Sequence, residues 1–263
     1  MNMKLIRNAV LSIGLAVSAG SASALTQLGA ALDGSGSVFN SDFILQLQGW
    51  ADAVGNLPTD SSVEVTVVQF GTGPGAVVEV QPTLIDSPAT RTAVQNSINA
   101  ISQGFGGTPI DAGINTLVNA MTNSANWAGG ANDSVINLAT DGFPNNATDA
   151  LNAALAAESM GIDALTAEAV GPNAGTAFLQ TLVFNPTCAA NSGCSVLLAA
   201  DSVPPNPLTG SAWVLPVTNF NAFGAAIGGK VGAIVGVPEP QLLALLAIGL
   251  VGFGASAKRR ARA

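Results

Sequence analysis

The sequence predicts an α/β protein with a doubly wound, mostly parallel central sheet, one antiparallel edge strand and helices on both faces. Three observations carry that expectation. Strand-like and helix-like segments alternate along residues 25–236, the order from which parallel sheets are built. Two strand-like runs flank the short turn Gly71 to Gly75, which makes one antiparallel hairpin. Two apolar runs end on a carboxylate, Asp33 and Asp141, and ligands of such sheets sit beyond the carboxyl ends of the strands.

The elements follow in order. Leu28 to Leu32 is an apolar run that ends on Asp33. Phe43, Leu47, Trp50, Ala51 and Val54 recur at helical spacing and predict an amphipathic helix from Ser41 to Gly55. Val63 to Phe70 is rich in β-branched residues and reads as a strand, and Ala76 to Val80 as its antiparallel edge partner. Ser87 before Pro88 reads as a helix cap with proline at the first helical position, followed by Val94, Ile98 and Ile101 on one face. Thr108 before Pro109 reads as the same device, leading a helix with Ile110, Ile114, Leu117 and Met121 on one side. Ser134 to Thr140 is a buried strand running into Asp141-Gly142. A helix (Ala147 to Met160), a strand (Ile162 to Val170) and a helix (Thr176 to Leu182) come next. Residues 185–212, with four prolines and both cysteines, read as an inserted loop. Ser211 to Val217 supplies a last strand, and Phe220, Phe223, Ile227 and Val231 a last helix.

The two ends differ from this core. Residues 1–24 carry Lys4 and Arg7, an apolar run and the small-residue close Ala22-Ser23-Ala24, the pattern of a secretory signal peptide with the mature chain expected from Leu25. Residues 237–263 contain Pro238-Glu239-Pro240, an apolar stretch from Leu242 to Ala257, and a basic tail from Lys258. An apolar helix backed by positive charge reads as a membrane stop. This tripartite tail resembles the PEP-CTERM sorting signal of Gram-negative bacteria. That resemblance implies transient insertion in the inner membrane, removal of the tail by an exosortase, and export to the cell surface or extracellular matrix.

Composition narrows function. With 48% apolar and 9% charged residues, the middle of the chain can bury a substantial core. Neither histidine nor tyrosine occurs, which removes Ser-His and Cys-His mechanisms and imidazole metal sites. Without the two ends, Arg91 and Lys230 face fifteen carboxylates; such a chain repels nucleic acid and attracts cations. Cys188 and Cys194 flank a Gly- and Asn-containing loop in an exported chain and are expected to form a local disulfide.

Asp33-Gly34-Ser35-Gly36-Ser37 is by itself a turn, in which Gly34 and Gly36 give the backbone access to positive φ. Placed at a strand end with Thr108 and Asp141, it becomes a set of two carboxylates and three hydroxyls. These hard oxygen donors suit Mg²⁺ or Mn²⁺, with Ca²⁺ admissible, and not Zn²⁺. Asp33-Gly34-Ser35-Gly36-Ser37, Gly106-Gly107-Thr108 and Thr140-Asp141-Gly142 together resemble the metal-ion-dependent adhesion site (MIDAS) of von Willebrand factor type A domains, over about residues 27–234. The resemblance implies a Rossmann-like fold in which Ser35, Ser37 and Thr108 contact the metal. It further implies that Asp33 and Asp141 act directly or through water, with one position open to an acidic group of a partner. The proline-rich segment 185–212 departs from the family pattern.

The expected function is that of an exported binding module whose metal engages an acidic protein or polysaccharide. A structural matrix protein, stabilised by the metal alone, is the alternative. An enzyme is not expected, because no residue offers a base poised near neutral pH.

Overall fold

The computed structural model describes residues 25–236 apart from Pro74. The expected signal peptide and the Pro238-Glu239-Pro240 tail lie outside the described residues. Among the described residues no helix is long and apolar enough to cross a membrane.

Seven strands form one sheet in the order β3-β2-β1-β4-β5-β7-β6. They are β1 (Thr26–Asp33), β2 (Val63–Thr72), β3 (Gly75–Leu84), β4 (Asp133–Thr140), β5 (Ala164–Val170), β6 (Val196–Leu197) and β7 (Trp213–Val217). Every pairing is parallel except β2 with β3 at one edge. All eight residues of β1 are buried, as expected of a central parallel strand covered on both faces.

The helices are α1 (Asn40–Gly55), α2 (Pro88–Asn99), α3 (Ile110–Thr122), α4 (Ala147–Ser159), α5 (Thr176–Leu182) and α6 (Phe220–Val235). Apolar side chains of α1, α2 and α6 form one core with the sheet, around Trp50, Trp213 and Phe223. Those of α3, α4 and α5 form the second, around Phe70, Met121 and the alanines of α4. β1 leads through α1 to β2 on one side, and β4 through α4 to β5 on the other. The neighbours β1 and β4 therefore diverge at their carboxyl ends and leave a crevice between them. α6 begins at this edge, where Phe220 lines the same cavity as Ser37 and Asp141, and runs back along the sheet to the opposite pole.

Four details differ from the sequence expectation. β3 extends to Leu84 because register shifts at Val65, Val67 and Phe70 let pairing with β2 continue past Val80 to Glu64. Pro82 is tolerated there because the strand is an edge. Segment 185–212 is not only a loop: Val196 and Leu197 pair in parallel with Trp213 and Val214 and close the sheet as β6. Cys188 and Cys194 are bonded within it, with Cα atoms 5.7 Å apart. Ser87 caps α2 by accepting from Thr90 N, but Thr108 caps nothing. Pro109 occupies the cap position of α3 and no side chain bonds that terminus, so the Thr108 hydroxyl is free of a capping role.

The fourth difference concerns the glycines of the first loop. Positive φ falls on Gly71 and Phe105 among others, and not on Gly34 or Gly36. Gly34 serves close approach instead: a Cβ there would lie 2.0 Å from Gln69 Oε1.

Candidate metal centre

The crevice between β1 and β4 is built from three loops. Asp33, the last residue of β1, is fully buried. Its Oδ1 accepts from Ser35 N at 2.9 Å and its Oδ2 from Thr140 Oγ1 at 2.6 Å, so the first bond curls the loop and the second ties β1 to the end of β4. Ser35 Oγ lies 2.9 Å from Ser37 Oγ, and Ser37 Oγ donates to Asp141 Oδ1 at 2.7 Å. The third loop closes over the first: Gly36 N donates to Gly106 O at 2.8 Å and Phe105 N to Gly34 O at 2.8 Å. A Cβ added to Gly142 would lie 3.8 Å from Ser37 Oγ and 3.9 Å from Thr108 Oγ1. Both hydroxyls therefore border one point, beside Asp141.

Asp33, Ser35, Ser37, Thr108 and Asp141 thus meet at one edge of the sheet. Asp33 and Ser35 are buried and Ser37 is exposed, while Thr108 and Asp141 are half-buried. Among the described residues no three acidic or cysteine side chains converge as a metal-binding group. The set is hydroxyl-rich, with two carboxylates, and its oxygens fit a hard divalent cation that retains much of its charge. Burial pushes the Asp33 carboxyl up to about 6 although hydrogen bonds from Ser35 and Thr140 pull it down. Burial also raises Asp141, opposed by the hydrogen bond from Ser37. Both carboxylates lack a positive partner, which a cation would supply.

Several supports were not assigned from the sequence. Gln46 on α1 donates to Asp33 O at 3.1 Å and accepts from Asp33 N at 3.2 Å, fixing the strand end. Its signal was a polar residue on the apolar stripe of Phe43, Leu47 and Trp50. Gln103 donates to Ser35 O and Val38 O, and Gln69 accepts from Gly104 N. Asn145 accepts from Thr108 N at 2.9 Å. Gly71 takes φ +84 where a Cβ would lie 2.6 Å from Ser35 N, so the β2 end must be glycine for the first loop to sit down.

A cavity of about 340 Å³ opens beside Ser37 and Asp141, bordered by Phe39, Asp42, Pro172 and Thr218. Phe39, Phe105 and Phe143, one on each of the three loops, are exposed. A larger cavity, about 600 Å³, lies near the far end of the sheet around Glu64. The Glu64 carboxylate there is held within the fold by Gln27, Ser124 and Asn126; the smaller cavity, bordered by Ser37 and Asp141, is the functional candidate.

The family model of the von Willebrand factor type A domain matches residues 28–198. Among solved structures, the chain is similar to the pilus adhesin SpaC of Lactobacillus rhamnosus GG at 12% identity and TM-score 0.58, covering 82% of this chain and 31% of that one. It is similar to proximal thread matrix protein 1 of the mussel byssus, solved with a zinc-occupied MIDAS motif, at 14% identity and TM-score 0.61, covering 81% and 48%. It is also similar to the manganese-loaded TRAP protein of Plasmodium vivax, at 17% identity and TM-score 0.51, covering 78% and 72%. The chain spans less than half the length of the first two. None of the curated proteins matches it. At these identities the structural likeness shows the fold alone.

Proposed function

Because the chain belongs to the von Willebrand factor type A domain family, we propose that it is an exported binding module that holds an acidic group of a partner at a divalent-metal site. Ser35, Ser37 and Thr108 are the hydroxyl ligands in this reading, and Asp33 and Asp141 the carboxylates, directly or through water. The bound cation, Mg²⁺ or Mn²⁺, supplies a Lewis-acidic charge to which a partner's carboxylate can bind. The observation that carries the reading is the junction of Ser37 Oγ with Asp141 Oδ1 at the β1/β4 crevice. Around that junction the described residues bring two carboxylates and three hydroxyls to one edge of the sheet.

The residues divide the task. Asp33 and Thr140 lock the crevice shut from below, while Ser37 and Asp141 stand at its mouth. Phe39, Phe105 and Phe143 surround the mouth with apolar surface that a partner can bury. The partner is an acidic protein or polysaccharide of the cell surface or extracellular matrix. The signal-peptide pattern of residues 1–24 and the Pro238-Glu239-Pro240 tail support the route: export, transient inner-membrane insertion, and removal of the tail by an exosortase. No catalytic role is proposed: the chain has no histidine, and the carboxylate that borders the cavity outside the ligand set is Asp42.

The test is binding of the exported protein to matrix polysaccharide and matrix protein, each with Mg²⁺ or Mn²⁺ and with chelator. Binding that requires the metal and is lost in Asp141→Ala is the expected result. Equal binding with chelator would overturn the adhesive reading and leave the metal as a stabiliser only. Intact mass of the exported protein should place its ends at Leu25 and near Pro238; a retained basic tail would refute the sorting route.

A further inference from the structure

Away from the metal centre, four polar side chains are sealed beneath α6. Asn137 on β4 and Thr166 on β5 are register partners. Glu168 lies two residues further along β5 and so shares their face. Lys230 reaches down from α6: its Nζ contacts Asn137 Oδ1 and Thr166 Oγ1 and lies 3.2 Å from Glu168 Oε1. Lys230 is 1% exposed, Asn137 2% and Glu168 0%. The Trp213 ring closes the site, with its centroid 5.0 Å from Nζ.

As an ion pair this arrangement is poorly built. Both charges are stripped of water, and Asn137 Nδ2 and Glu168 Oε2 complete no hydrogen bond, although the Glu168 carboxyl lies against the Asn137 side chain. Burial drives the amine of Lys230 down and the carboxyl of Glu168 up, each toward its neutral form. A neutral amine held against an amide carbonyl, with a carboxylic acid touching both, is the reactant set of an amide exchange. The surrounding Trp213, Leu215 and Ile227 are buried and keep out the water that would otherwise compete.

We infer that Lys230 and Asn137 are joined by an intramolecular isopeptide bond, formed with Glu168 as proton carrier. The Nζ lone pair adds to Cγ of Asn137 and Glu168 protonates Oδ1. The proton lost by Nζ passes through the Glu168 carboxyl to Nδ2. The C=O re-forms as Oδ1 returns its proton to Glu168 and the Cγ–Nδ2 bond breaks, and ammonia leaves. One C–N bond is made and one broken, Glu168 is regenerated, and no oxidant or cofactor takes part. The product ties α6 to the centre of the sheet across 93 residues of sequence. It is independent of metal binding.

The test begins with the intact mass of the folded, purified chain under reducing, denaturing conditions. The wild type should be lighter than its sequence by one ammonia. Trypsin should fail to cut after Lys230, and glutamyl-endopeptidase digestion should yield one species containing both Asn137 and Lys230. Lys230→Met should show its full sequence mass. Glu168→Gln should fold and react about a hundredfold more slowly or less, the usual scale of a lost proton carrier. Wild-type protein that is folded by circular dichroism yet keeps its full mass, and is cut at Lys230, after days of incubation overturns the inference. Glu168→Gln reacting as fast as wild type overturns the role given to Glu168.

Discussion

Ser37 Oγ and Asp141 Oδ1 are joined by a 2.7 Å hydrogen bond across 104 residues of sequence, so the first loop and the end of β4 meet at a single point. Asp141→Ala should abolish divalent-metal binding and leave the fold intact. In thermal melts, Mg²⁺ or Mn²⁺ should stabilise the wild type by about 2.7 kcal/mol at a hundredfold excess over Kd, and the variant not at all. With EDTA the two should lie within about 1 kcal/mol, since one half-exposed hydrogen bond is lost while an unpaired carboxylate is removed.

The Asp33 carboxyl predicts a pH dependence. Its folded-state value is raised from 3.8 to about 6 by burial, so the metal-free folded state holds its proton more tightly than the unfolded chain. The stabilisation is complete below 3.8 and is lost as pH rises to about 6. Chemical denaturation in EDTA should therefore show stability falling across that window, by up to about 3 kcal/mol. Metal affinity should rise over the same range, because the cation binds the carboxylate form. Calorimetric titrations showing equal affinity at pH 5 and pH 7 would contradict this.

Gln46 is a positioning residue for Asp33. Gln46→Leu preserves the bulk on α1 but leaves the backbone N–H and C=O of Asp33 without the amide. A loss of about 1–3 kcal/mol in urea denaturation is expected, together with weaker metal binding. Unchanged metal affinity in the folded variant would show that Asp33 holds its place unaided.

The Cys188–Cys194 bond closes a loop too short to restrict much of the unfolded chain. Replacing both by serine should cost no more than the ~3 kcal/mol given for a 15-residue loop. Metal binding should be unchanged, because no residue of that loop takes part in the crevice. Free thiols on peptide mapping of exported protein would refute the bond.

The sheet was legible because its strands are short apolar runs, β-branched in β2 and β4, and its helices carry apolar side chains three and four apart. Asp33 and Asp141 were legible because each ends such a run. The short β6 was not: Val196 and Leu197 are exposed, and only pairing with β7 makes them a strand, a non-local fact without periodicity. Thr108 looked like a cap because threonine before proline commonly is one. Here its backbone N–H is taken by Asn145 and its hydroxyl is left to the crevice. The part played by Gly34 was hidden for the same reason, since it is set by Gln69, distant in sequence.

α6 starts at the metal-centre edge and ends at the other pole, where β1 also begins. A pull applied at the end of α6, against a partner gripped at the crevice, therefore runs lengthwise along the sheet. The hydrogen bonds between strands lie across that line and are loaded together in shear, not opened one by one. Lys230, near the trailing end of α6 and against Asn137 in the middle of β4, is the point at which such tension leaves the helix and enters the strand that ends beside Asp141. The proposed grip and the end of α6 thus lie at opposite tips, and the line between them passes through the centre of the sheet.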